Sequence, residues 1–213
     1  MSEPEPLEEI LQRVMKKAEA NKVESDERAK KVNEGFVQEQ LEEWRRPRLA
    51  LVPKRYWEAR VEGEEMEQWL AHVLDGGSES LCLAGPTGTG KTWALWGLYR
   101  AFIDAQVNAV AINLIEFLDK LRPGGPEESV TIEKLVRAPV LMMDDLGMHK
   151  TSEWTDEKVG LILNARHEWM RPSVFTTNFP RSMWTDVLGD RITSRLSEDC
   201  RIVEMRGKDR RLG

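Results

Sequence analysis

The stretch "SLCLAGPTGTGKT", residues 80–92, decides the fold. Its first half is a short uncharged run, the pattern of a strand buried on both faces. Its second half, "GPTGTGKT" (85–92), fits G-x-x-x-x-G-K-[ST] and leads into a segment, 91–104, with helical spacing. A strand, a glycine-rich turn and a helix in that order make a phosphate-binding loop. Gly85, Gly88 and Gly90, with Pro86, Thr87 and Thr89 between them, curl the backbone until successive N–H groups point at phosphate oxygens. Lys91 then reaches the terminal phosphates and the Thr92 hydroxyl takes a place on Mg²⁺. The helix opening at Lys91 aims its positive dipole end at the same anion. ATP and Mg²⁺ are the expected cofactors.

Outward from this loop the chain alternates. Strand patterns at 79–84, 107–113, 139–145, 173–178 and 200–205 are separated by helical segments at 91–104, near 115–121 and 131–137, and at 155–170. That order specifies an α/β fold with a five-stranded parallel sheet flanked by helices. The third strand, "PVLMMDD" (139–145), ends in two carboxylates. Asp144 is expected to hold the water shell of the metal, and Asp145 stands where a base orients the attacking water. Asp is one methylene shorter than the Glu many such ATPases carry there, so slow hydrolysis is expected. The fourth strand runs into "TTNFP" (176–180) and puts Asn178 at its carboxyl end, where open α/β sheets gather ligand-contacting groups. An amide there can orient the hydrolytic water and sense the γ-phosphate.

In "LGDRITSRLSE" (188–198), Arg191 and Arg195 fall one helical turn apart, with Ile192 and Leu196 on the neighbouring face. Like charges at this spacing repel by roughly 0.2–0.5 kcal/mol on a helix. Either Asp190 and Glu198 neutralise a solvated face, or an anion approaches the pair.

Residues 1–46 lack strand signals. Leu7, Ile10, Leu11, Val14 and Met15 form one helical stripe, and Ala29, Val32, Phe36 and Trp44 a looser second. Two such helices make a thin core alone, so they are expected to pack on a partner. "RRPRLALVPKRYW" (45–57), with two prolines and a basic cluster, reads as the linker. The expected division is a helical partner-binding region over 1–50 and an ATPase domain over 51–213. A length of 213 residues suits one full domain and an appendage. No apolar run approaches the ~18 residues of a membrane span, and the acidic start "MSEPEPLEEI" is unlike a signal peptide, so a cytoplasmic location is expected. Cys82 and Cys200 lie in short apolar runs with no His nearby and read as buried apolar residues, not as zinc ligands. A net charge of -6 lacks the basic footprint of a tight duplex binder, so any nucleic-acid contact is local.

Over about residues 50–213 these motifs resemble the AAA+ ATPases, within them the DnaC/DnaI/IstB group of replicative helicase loaders and transposition helpers. "GPTGTGKT" resembles the group's Walker A, "LMMDDLG" (141–147) its Walker B and "TTN" its sensor 1. "LGDRITSRL" is similar to its box VII, which implies that Arg195 is the finger inserted into the ATP site of the adjacent subunit. "VPKRYWEARVE" (52–62) is similar to the segment passing adenine, implying that Tyr56 or Trp57 stacks on the base. "MRGKDRR" (205–211) resembles the terminal motif that would make Arg211 sensor 2. Fewer than a dozen residues follow "CRIVEM" (200–205), so no C-terminal lid is expected. The resemblance implies a helicase loader that grips a replicative hexameric helicase through its N-terminal helices. It would self-associate through shared ATP sites and help place the helicase on single-stranded DNA, with "NLIEFLDKLRPGGPEESVTIEKL" (113–135) facing the DNA. The alternatives are an IstB-like transposition helper acting on duplex DNA and a P-loop small-molecule kinase.

Overall fold

The computed structural model describes residues 35–122, 131–149 and 152–207. The chain divides into two units, Met1–Arg48 and Leu49–Gly213. In the first, described residues belong to helix α1, residues 35–49. There the Arg48 guanidinium sits 4.1 Å from the centroid of the Trp44 ring, while Phe36 is 60% exposed. The stripe expected at Leu7–Met15, together with Ala29 and Val32, lies outside the described residues.

The second unit is a five-stranded, all-parallel sheet: β1 Ser80–Ala84, β2 Ala109–Asn113, β3 Val140–Asp144, β4 Ser173–Thr177 and β5 Cys200–Glu204, in the order β2-β3-β4-β1-β5. Helices α2 (Glu64–Leu74), α3 (Lys91–Asp104), α4 (Leu114–Lys120), α5 (Ile132–Arg137), α6 (Glu153–Glu168) and α7 (Trp184–Asp199) accompany it. The central strands β1, β3 and β4 are buried almost throughout, which is why they read as unbroken apolar runs. Alternation then sorts their side chains. Cys82, Ala84, Leu141, Met143 and Phe175 join the core formed with α4 to α7. The intervening Leu81, Leu83, Met142 and Val174 are equally buried, on the opposite face. Trp69 of α2 meets Phe102 of α3 edge-on, ring centroids 5.9 Å apart.

Because β1 lies between β4 and β5, the connections leaving β1 and β4 depart in different directions. A crevice opens at their carboxyl ends, where such sheets bind ligands.

Three boundaries differ from the sequence expectation, each because of a helix cap. Helix α3 ends with Gln106 at φ 61, and the bonds Gln106 N–H to Ile103 O (3.0 Å) and Val107 N–H to Phe102 O (2.8 Å) tie Val107 into the cap rather than the strand. Helix α6 starts early because Ser152 and Thr155 form a capping box, and stops before Met170, which takes φ 48 in an equivalent cap. Helix α7 is broken at Gly189 (φ 79, ψ 160), so the arginine-bearing turns form its second segment. Beside them, Arg166 of α6 is 1% exposed and donates to the carbonyls of Leu135, Ala138 and Pro172 at 2.6, 2.8 and 2.6 Å. Burial, helped by Arg171, draws its pKa down to about 9, which leaves it a cation at neutral pH. The segment 113–135 forms α4 and α5, with residues 123–130 outside the described set. Among the described residues no helix follows β5 and none is long and apolar enough to cross a membrane.

Candidate nucleotide site

The loop after β1 closes against the rest of the sheet at backbone level. Gly85 donates its N–H to Thr177 O (3.2 Å), and a Cβ built on it would meet Met205 O at 2.2 Å, so only glycine fits. Gly88 and Gly90 have φ 88 and 94, the left-handed values that turn the chain into α3. Thr89 Oγ1 donates to Pro86 O (2.9 Å) and stiffens the loop from within. Lys91, only 6% exposed, donates from Nζ to Gly85 O and Pro86 O, both at 2.7 Å. Its ammonium is thus held over the loop at the mouth of helix α3.

A cavity of about 580 Å³ opens beside this loop. Tyr56, Thr87, Gly88, Gly90, Lys91, Thr92, Asp145 and Asn178 all line it. Gly85, Pro86 and Thr89 shape the loop without lining the cavity. Asp144, at the end of β3, is reached from the cavity floor: Thr92 Oγ1 lies 3.3 Å from its Oδ1. Burial raises the Asp144 pKa above the usual carboxylate value, with Thr176 opposing that shift and the neighbouring Asp145 adding to it. A hydroxyl and a half-buried carboxylate side by side are oxygen donors of the kind that suits Mg²⁺, and a cation there would offset the cost of ionising Asp144. The residues present therefore fit Mg²⁺ with a nucleotide triphosphate.

Asp145 is held in an uncommon conformation, φ 63, which costs roughly 1–2 kcal/mol for a side chain other than glycine. Two contacts fix it. Its N–H donates to Thr176 Oγ1 (2.9 Å), and Asn113 Nδ2 donates to its Oδ2 (2.9 Å). Thr176 in turn donates to Asp144 Oδ1 (2.5 Å), so one hydroxyl on β4 organises both carboxylates. Asn113 also caps α4, its Oδ1 accepting from Ile115 and Glu116 N–H at 3.0 and 3.2 Å. Sequence reading missed Thr176 and Asn113. Their signal was present as polar residues closing apolar strands next to β3, but only strand order makes them neighbours of the carboxylates.

The upstream segment supplies one wall. Tyr56 stacks on Trp96 (6.3 Å, 16°) and meets Trp93 edge-on (6.5 Å, 71°). Arg55 and Trp93 line the cavity too and were not anticipated. Trp57 does not reach it: its Nε1 donates to Val52 O (3.0 Å) and it borders a separate hollow of about 220 Å³ with Arg100.

Arg195 lies elsewhere. It lines a second cavity, about 770 Å³, with Ser80, Ser173 and Cys200, the first residues of β1, β4 and β5. The nucleotide cavity is at the opposite, carboxyl end of the same strands. Glu198 accepts from Arg195 Nη1 at 3.3 Å, and Ile192 and Leu196 are buried as their spacing predicts. Arg211 lies outside the described residues.

A sequence model described as "IstB-like ATP binding protein" matches residues 70–213, more than half of the chain. The replicative helicase loader DnaI of Bacillus subtilis (strain 168) is 27% identical over 107 residues, 49% of this chain and 34% of that protein. The Pseudomonas fluorescens protein of insertion sequence IS1162, named as ATP-binding, is 27% identical over 142 residues, 59% of this chain and 57% of its own. The chain thus matches little more than half the length of these curated relatives at most. In three dimensions it is similar to a crystal structure of DnaI, with TM-score 0.62 and 22% identity over 73% of this chain and 95% of that one, a likeness of fold. On its sequence match and its parallel phosphate-loop sheet, this chain belongs to the IstB-like ATP-binding proteins, in the DnaC/DnaI/IstB group of AAA+ ATPases.

Proposed function

We propose that this protein is a helicase loader: an ATP-hydrolysing AAA+ protein that self-associates through shared ATP sites, binds a replicative hexameric helicase through residues 1–50 and helps place it on single-stranded DNA in the cytoplasm. One observation carries the shared-site part of the reading. The catalytic set is split, with the nucleotide cavity at the carboxyl ends of the strands and Arg195 at the amino ends. A five-residue strand is roughly 16 Å long, beyond the reach of a side chain, which supports a role for Arg195 at the nucleotide of another protomer rather than at its own. The same corner exposes Met170 (71%) and, next to it, Trp169 (69%), apolar surface suited to burial between protomers.

In this mechanism the N–H groups of residues 88–92 and the Lys91 ammonium take the phosphates. Lys91 exchanges its two carbonyl partners for phosphate oxygens. Thr92 and Asp144 would hold Mg²⁺, which supplies charge neutralisation on the β- and γ-phosphates. Asp145 and Asn178 orient the attacking water, Tyr56 packs on the base, and Arg211 serves as the second phosphate sensor. The neighbour's Arg195 stabilises charge developing on the γ-phosphoryl, a contribution worth about 10³–10⁵ in rate in other phosphoryl-transfer enzymes. The phosphate set alone suits any ATPase of this group; the loader assignment draws on the likeness to DnaI.

The test is ATP turnover and assembly by the full chain with and without a hexameric replicative helicase and single-stranded DNA. Arg195→Ala is expected to keep nucleotide affinity and to lose ATP-dependent assembly and turnover. Unchanged turnover in Arg195→Ala would end the shared-site reading. The likeness to the IS1162 protein supports a second reading, a transposition helper. ATP-dependent binding to duplex DNA that survives moderate salt, without helicase capture, would favour it.

A further inference from the structure

Arg195 is held by an arrangement that none of its sequence neighbours announces. Its Nη1 lies 3.1 Å from Nε2 of His167, in the last turn of α6, and Nδ1 of the same ring is hydrogen-bonded to Asp199 Oδ2, the last residue of α7. The chemistry of the two partners fixes the ring between them. A guanidinium only donates and a carboxylate only accepts. His167 must therefore carry its proton on Nδ1, toward Asp199, and turn the lone pair of Nε2 toward Arg195. We propose that His167, oriented by Asp199, is the positioning residue for Arg195. This inference rests on the reading of Arg195 as the group that completes a neighbour's ATP site.

The physical argument turns on charge. An arginine side chain is rich in rotamers, and an unguided one loses that freedom each time it engages a phosphate. A carboxylate in direct contact would hold it still but cancel the charge the γ-phosphoryl needs. A neutral imidazole acceptor restrains the guanidinium without cancelling that charge, and the carboxylate that orients the ring stands on the ring's far side. Glu198, the direct carboxylate contact, is 3.3 Å away on a side chain 58% exposed, and water screens it. His167 also spans two helices, so the position of Arg195 follows the packing of α6 on α7 and not the rotamers of α7 alone.

Four full-length variants test this: His167→Asn, His167→Gln and Arg195→Ala, each scored for nucleotide affinity as a monomer and for kcat and KM at assembling concentrations, and Lys91→Ala, used for mixing. The shorter amide in His167→Asn can face Asp199 but no longer meets Arg195. Its kcat is expected to fall, by about 10²-fold if orientation is the whole effect, with KM and monomer affinity unchanged. The Gln amide oxygen reaches the place of Nε2, so His167→Gln should recover much of the loss. Mixing His167→Asn with a Lys91→Ala chain should restore turnover, because the second chain binds no nucleotide yet presents an intact His167 and Arg195 to its neighbour. If Arg195→Ala abolishes assembly-dependent turnover while His167→Asn matches wild type, His167 has no positioning role. The inference also fails if His167→Asn is impaired but neither Gln nor mixing rescues it, since the role is then structural. Wild-type turnover in Arg195→Ala sinks the underlying reading instead, and so tells the two failures apart.

Discussion

Replacing Thr176 by valine keeps the shape of a side chain that is 1% exposed and removes one hydroxyl. That hydroxyl accepts from Asp145 N–H and donates to Asp144 Oδ1. An orphaned buried N–H costs about 1–3 kcal/mol, and a hydrogen bond to a charged group contributes about 1.5–3 kcal/mol. The two share one oxygen, and Asp144 can relieve part of its loss by taking up a proton, so the sum is nearer 3 than 6 kcal/mol on the same scale. With a urea m-value of about 2 kcal/mol/M, the unfolding midpoint should drop by about 1.5 M. A second effect follows from sign. Thr176 lowers the pKa of Asp144 against the rise that burial imposes, so its removal lets the carboxyl hold its proton to higher pH. Mg²⁺ must then compete with that proton. The Mg²⁺-dependent part of ATP affinity should weaken relative to wild type, the more so the lower the pH, and recover as pH rises, while Mg²⁺-free nucleotide affinity stays as it was. Urea melts and nucleotide titrations with and without Mg²⁺ measure both, and Thr176→Ser, which keeps the hydroxyl, is the control at a cost of about 1 kcal/mol. A midpoint within about 0.3 M of wild type, or a Mg²⁺ dependence that does not change with pH, would refute the assignment of one hydroxyl to both carboxylates.

Two further outcomes are expected. Gly97→Ala would drive a Cβ to 2.4 Å from Arg60 O on the segment that also carries Tyr56, so it should cost about 1–3 kcal/mol in urea unfolding and weaken ATP binding through the displaced wall; wild-type values for both would show that the segment yields freely. His149, 8% exposed with Nδ1 unpartnered among the described residues, has its pKa lowered from 6.5 by burial, which outweighs the pull of Asp156 at 4.0 Å. The unfolded chain takes up that proton first, so stability should fall as pH drops below 6.5 toward the folded-state value. His149→Leu should flatten the fall when urea midpoints are compared at pH 7.5 and pH 5.5, and an unchanged slope would assign the acid sensitivity elsewhere.

What the sequence determined by itself was most of what is local in the chain. The five strands, their alternation with helices and the phosphate loop were legible because buried parallel strands are unbroken apolar runs and because "GPTGTGKT" is a contiguous backbone device. Asp144, Asp145 and Asn178 could be named because strand ends are visible as the place where apolar residues stop. Helix ends were less legible: Gln106 and Met170 occupy left-handed positions where glycine is the usual signal. The tertiary structure decided whatever depends on which strand lies beside which. The order β2-β3-β4-β1-β5 brings Asn113 to Asp145 across 32 residues and Thr176 to Asp144 across 32. Packing of α6 on α7 brings His167 to Arg195 across 28. No pattern along a chain encodes such pairs, because hydrogen bonds between side chains act over about 3 Å of space and are indifferent to the length of chain between their partners.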